Sequence, residues 1–149
     1  MTKYEERAAE LFLQGYNCAQ AVAGAFADKT GLDETTVLKL SSAFGGGFAR
    51  TRNVCGAVSA MGMILGLVKS SGDAGDKANV YAAVRELTDE FTDKNGSIIC
   101  AELLSKVKGI TDSPVPDERT AEYYKKRPCV RYVIAAAGML EKKLEEEQP

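Results

Sequence analysis

Four cysteines, Cys18, Cys55, Cys100 and Cys129, are the residues of this sequence best suited to chemistry. No two lie within four positions of each other, so the chain has neither a CxxC redox pair nor the paired ligands of a zinc ribbon. Any site made from them has to be assembled by the fold from four separate segments. Their local settings are alike, because each falls at the start of an expected helix. A helix N-terminus carries about half a positive charge and several free N–H groups. Sulfur placed there is favoured as thiolate, the form that acts as nucleophile and metal ligand. Arg50 and Arg52 before Cys55, and Lys125, Lys126 and Arg127 before Cys129, act in the same sense. Cys55, with arginines and glycines around it, is expected to be the most reactive. The competing reading is inert packing, since free cysteine is among the most buried residue types.

The rest of the composition narrows what those thiols can do. The chain of 149 residues contains no histidine and no tryptophan. Ser-His-Asp and Cys-His catalysis, His-ligated haem and Cys₂His₂ zinc are thereby excluded. A helical peroxidase of the alkylhydroperoxidase type is set aside as well, because it uses a CxxC and a nearby histidine. Net charge is −2, so no bulk positive field attracts nucleic acid. The longest weakly polar run, residues 54–68, is shorter than the roughly 20 residues of a membrane span. No basic n-region, apolar h-region or twin arginine opens the sequence, and a cytoplasmic location, where thiols are normally reduced, is expected.

The elements that must position the cysteines are helices. Tyr4, Ala8, Leu11 and Phe12 recur at helical spacing behind a Thr2/Glu5 capping box. Asn17 suits the N-cap of a helix carrying Cys18, Val22 and Phe26, and Asp33 that of one with Val37 and Leu40 inward. Residues from about 54 to 69 are apolar on every side and are read as a central buried helix. Val80, Val84, Leu87 and Phe91 form the stripe of a long helix ending at Asn95-Gly96. Ser97 is placed as the cap of a helix spanning Ile98, Cys100 and Val107, and residues 117–126 as one polar helix. Pro128 suits the first position of the last helix, with Cys129 next. Nothing alternates with period two, so the expectation is a single all-α domain over residues 1–149. It has about six to eight helices around the 54–69 helix, and a frayed acidic tail from about 145.

Gly45-Gly46-Gly47-Phe48-Ala49-Arg50-Thr51-Arg52 leads into the Cys55 helix. It lacks a preceding strand and the Gly-Lys-Ser/Thr ending of a phosphate loop. It reads instead as an anion cradle of backbone N–H groups and arginines, as a tight bend, or as a cover over a group bound at Cys55.

With these residues in view the sequence resembles the C_GCAxxG_C_C family, named after its cysteine pattern. The matching segment is Cys55-Gly56-Ala57-Val58-Ser59-Ala60, flanked by Tyr16-Asn17-Cys18-Ala19-Gln20 before it and by Cys100 and Arg127-Pro128-Cys129 after it. The motif's final glycine is Ala60 here. The resemblance covers about residues 5 to 140 and implies a redox role for the four cysteines, as an oxidoreductase component or electron carrier. An iron–sulfur cluster or another metal held by Cys18, Cys55, Cys100 and Cys129 is one form of that role. Gly45, Gly46, Gly47, Arg50, Arg52 and Gly56 would then stand around the cofactor, with the arginines offsetting its charge. Thiol–disulfide exchange is the other form, and four cysteines allow three pairings. A structural Cys₄ zinc site and an inert helical scaffold are the alternatives without redox activity. The expected partner is another redox protein; nucleic acid and membrane insertion are not expected, and a homo-oligomer is left open.

Overall fold

Helix starts in this chain are fixed by side chains that answer the free N–H groups of a first turn. Glu5 N donates to Thr2 Oγ1 at 3.3 Å and Thr2 N to Glu5 Oε1 at 3.2 Å, opening α1 (Lys3–Leu13). The same reciprocal pair recurs at α2 (Cys18–Ala25), where Gln20 N donates to Asn17 Oδ1 at 2.9 Å and Asn17 N to Gln20 Oε1 at 3.1 Å. The computed structural model describes residues 1–147, and the remaining elements are α3 (Glu34–Ser41), α4 (Gly56–Lys69), α5 (Lys77–Asn95), α6 (Cys100–Leu103), α7 (Ala121–Lys126) and α8 (Cys129–Glu146). Three short 3₁₀ turns join them. Among the described residues there is no strand, only an isolated antiparallel bridge between Val54 and Ile99. No described helix is long and apolar enough to cross a membrane.

The apolar helix expected near 54–69 forms as α4 and packs between α2, α5 and α8. The short α2 shares the interior with it, touching α1, α3, α4 and α8. Its alanines and Gly24 permit that crowding: a Cβ on Gly24 would lie 2.9 Å from Leu38 Cδ2 and 3.0 Å from Leu11 Cδ1. Leu11, Phe26, Met61, Leu65, Leu87, Phe91 and Leu140 fill the core. Burial of such side chains at roughly 25 cal/mol per Å² of apolar surface is the main force holding the helices together.

Four elements depart from expectation, the first being the polar helix expected over residues 117–126, which starts only at Ala121 because Thr120 caps it by accepting from Tyr123 N. On α3 the inward face is Val37, Leu38 and Ser41, while Leu40 is 63% exposed. Ser41 donates its hydroxyl proton to the Val37 carbonyl at 2.8 Å, so it buries without an unmet hydrogen bond and the face turns toward Leu38. The helix expected from Ile98 to Val107 is reduced to α6, because Ile98 lies in a bend, Ile99 is extended, and both are tied to the segment before α4. The acidic tail is not frayed over its described part. Helix α8 runs to Glu146, and Glu147 accepts from Lys69 Nζ at 2.6 Å, binding the end of α8 to the end of α4. Residues 148–149 lie outside the described residues.

Candidate functional site

All four cysteines stand at helix starts. Cys18, Cys100 and Cys129 are the first residues of α2, α6 and α8, and Cys55 is the N-cap of α4. The fold turns those four starts toward one another, and the four side chains line a single cavity of about 60 Å³. Backbone pairing joins the middle two. Cys55 N donates to Ile98 O at 2.7 Å, Cys100 N to Asn53 O at 2.6 Å, and Ala101 N to Arg52 O at 3.1 Å.

The glycine loop is the wedge between these starts. Its backbone is left-handed at Gly46, Gly47, Phe48, Ala49 and Arg50, with φ from 50° to 73°, and again at Arg52 with φ 65°. Such a conformation costs about 1–2 kcal/mol at each non-glycine residue. Interior hydrogen bonds hold it, with Arg52 N donating to Gly46 O at 3.0 Å and Asn53 N to Gly47 O at 2.8 Å. Gly47 has to be glycine, since a Cβ there would lie 2.6 Å from Asn53 N and 2.7 Å from Cys100 Cβ. Gly56 is constrained as tightly from the other side: its Cβ would stand 2.6 Å from Cys18 Sγ.

These contacts set the protonation of the thiols. Cys18 is lowered to about 6, chiefly by a hydrogen bond from the Cys55 thiol, and then by the backbone N–H groups of Gly46, Gly56 and Ala57, against an opposing effect of burial. Cys55 is pushed well above the usual thiol range because it holds its proton on the Cys18 sulfur and is itself buried. Burial also raises Cys100, countered by Arg52, whose Nη1 lies 3.6 Å from Cys100 Sγ. Cys129 is raised to about 12, by burial first and then by the negative charge of Cys18. The acidic sulfur is therefore Cys18 rather than Cys55. Three N–H groups converge on the Cys18 sulfur, whereas the arginines that singled out Cys55 point elsewhere.

Arg52 is 8% exposed and lines the cavity. Its Nε donates to Thr111 O at 2.9 Å, and its Nη2 is buried with no hydrogen-bond partner. Gly46 and Gly56 also line the cavity, while Gly45 packs against Asn17 and Gly47 against Cys100. Arg50 does not reach the cavity; it donates to Ser113 O and Val115 O and pairs with Asp117 at 3.2 Å, fastening the 109–116 connection over the loop. Arg119 and Arg127 do line it, with Tyr123 and Tyr132. Arg119 reaches Phe12 O and Tyr16 O, both at 3.0 Å, and no local pattern in the sequence marks it because its partners lie more than a hundred residues away. Arg127 was legible only as a charge beside Cys129.

Among the described residues, no group of three or more cysteine, aspartate and glutamate side chains is disposed to hold a metal ion. The arrangement thus does not match a Cys₄ zinc site, whose sulfurs sit about 2.3 Å from one point.

Four helix-start thiols around one guanidinium-lined cavity, one of them acidic, define a cysteine-centred helical protein. The chain belongs to the C_GCAxxG_C_C family, whose description reads "Putative redox-active protein" and whose pattern matches residues 16–143. No curated protein and no solved structure matches the chain. The residue that departs from the family motif, Ala60, is fully buried in the core on α4 and takes no part in the cavity wall, so its methyl group bears on helix packing.

Proposed function

We propose that the protein is a dithiol redox protein in which Cys18 is the nucleophile and Cys55 the resolving thiol, working in a reducing, cytoplasmic compartment. The observation that carries this reading is the meeting of Cys18 and Cys55 on one cavity wall, where Gly56, next to Cys55, approaches the Cys18 sulfur so closely that a Cβ would stand 2.6 Å from it, with Cys18 lowered and Cys55 raised by their interaction. An attacking thiol works best with a pKa near the ambient pH, where thiolate is abundant and still nucleophilic. In the first step the Cys18 thiolate attacks one sulfur of an external disulfide, forming a mixed disulfide and releasing one thiolate. Cys55 then gives its proton to that leaving thiolate or to water and attacks the Cys18 sulfur. A Cys18–Cys55 disulfide forms and the second external thiolate leaves. Two electrons pass from the protein to the external disulfide, and the reverse sequence reoxidises a dithiol partner. Cys100 and Cys129, held protonated, complete the cavity wall.

The test is trapping by mass spectrometry after reaction with a small disulfide. Cys55→Ser is expected to accumulate a mixed disulfide on Cys18, Cys18→Ser to form none, and the parent to end as an intramolecular disulfide. Metal analysis of anaerobically purified protein accompanies it, with four free thiols and no stoichiometric metal expected. Modification of Cys18→Ser at the parent rate, or iron bound at cluster stoichiometry, would overturn the reading.

A further inference from the structure

Beside the cysteine cavity lies a second, wider space of about 300 Å³, and the two share Asn17, Gly46, Arg52, Arg119, Tyr123 and Arg127 as a common wall. That volume is at the lower end of the range of small-molecule sites. Pro114 and Pro116 cover one side of it, fixed there by the Arg50 contacts. Its charge is unlike that of the whole chain, whose net charge is −2. Four arginines, at positions 50, 52, 119 and 127, line this vestibule against a single carboxylate, Asp117. Asp117 is already claimed by both Arg50 and Arg127. Arg127 and Arg119 lie face-on to the Tyr123 ring, 4.6 and 4.9 Å from its centre, which fixes their positive charge at the junction of the two spaces.

The decisive group is Arg52, which lines both spaces. A guanidinium more than nine-tenths buried, with one terminal nitrogen lacking any partner, leaves an uncompensated donor in the wall. Such a donor is costly unless something accepts from it. Among the described residues nothing does so.

We infer that the vestibule is the binding site for an anionic low-molecular-weight disulfide or its thiol form, with carboxylate groups at the arginines and the sulfur end directed into the cysteine cavity. The inference rests on the dithiol reading above and names its substrate class. Guanidiniums recognise planar carboxylates through paired N–H donors, so the vestibule orients the ligand as well as attracting it. The narrow inner cavity admits only the sulfur end, which brings the disulfide to Cys18 while the charged body stays outside.

The experiment compares three disulfides of similar size: 3,3′-dithiodipropionate (anionic), bis(2-hydroxyethyl) disulfide (neutral) and cystamine (cationic). Rates of mixed-disulfide formation on Cys18 are measured in the Cys55→Ser variant, each divided by the rate of the same reagent with a free model thiol. The normalised anionic rate is expected to exceed the neutral one by about tenfold or more, the scale of a cleft lined by one sign of charge, with the cationic reagent slowest. Raising the salt concentration is expected to compress that ratio, and Arg127→Gln and Arg50→Gln each to lower it. If the normalised rates are equal, or cystamine is fastest, the vestibule assignment is overturned while Cys18 remains the nucleophile. If none of the three modifies Cys18, the dithiol reading fails, and this inference with it.

Discussion

Gly56 shows how much of the site depends on a missing side chain. It follows Cys55 directly, and its α-carbon faces the Cys18 sulfur so closely that a methyl group would stand 2.6 Å from it. The backbone N–H of the same residue helps hold the Cys18 thiolate. Gly56→Ala must therefore displace either the sulfur or the first turn of α4. The expected outcome is a loss of about 1–3 kcal/mol in stability, the usual range for overpacking, together with an upward shift of the Cys18 pKa. Urea denaturation and the pH dependence of iodoacetamide labelling check the two parts separately; unchanged labelling would mean that Gly56 matters to packing alone. The cysteines themselves were legible at this scale, because Asn17, Pro128 and the glycine loop mark helix starts before any coordinates are known. Their relative acidity was not. Which sulfur becomes acidic depends on where three N–H groups converge, and that follows from the approach of α4 to α2. Arg119 was equally hidden, since it works through carbonyls at the far end of the chain.

Among the elements, the left-handed loop between α3 and α4 carries the strain of the molecule. Phe48, Ala49, Arg50 and Arg52 all have positive φ, and Ala49 is exposed with no packing role to justify its side chain. Replacing Ala49 by glycine removes a backbone penalty of about 1–2 kcal/mol and adds unfolded-state entropy worth about 0.4–1 kcal/mol. Ala49→Gly is thus expected to raise stability slightly, and Gly47→Ala, which meets both Asn53 N and Cys100 Cβ, to lower it by more than about 2 kcal/mol. Thermal or urea unfolding of the two variants tests the pair; a destabilised Ala49→Gly would show that the loop is not strained at that position. Glycines in this stretch announced a bend, but not its handedness. The single turn of α6 was similarly out of reach, because the Val54–Ile99 bridge that removes Ile98 and Ile99 from the helix is a contact between distant segments. Long elements with capped starts could be read directly, since periodicity and capping are local.

For the molecule as a whole, the thiols give stability a defined pH profile. Cys18 is near 6 in the folded protein and near the ordinary thiol value of about 8.5 when unfolded. Between those values the unfolded chain binds more protons, so stability rises with pH across that window and is lost as pH falls through about 6. Cys55, Cys100 and Cys129 have raised values, so the folded state retains protons that the unfolded state releases. Stability accordingly declines again above about 8.5, the unfolded thiol value. Without histidine, no imidazole overlays this profile. Urea midpoints from pH 5 to 10 are expected to peak near 8, and Cys18→Ser to flatten the rising limb; a parent profile that keeps falling from pH 6 upward would contradict the assignment. The order of the four cysteines along the chain has one more consequence. The cavity gains its last walls only with Cys129 and Tyr132, in the first turn of α8. At common rates of protein synthesis, on the order of 5–20 residues per second, Cys18 is made several seconds or more before those walls exist. The growing chain thus leaves the ribosome with Cys18 open on every side, before the walls that limit the approach to it have closed.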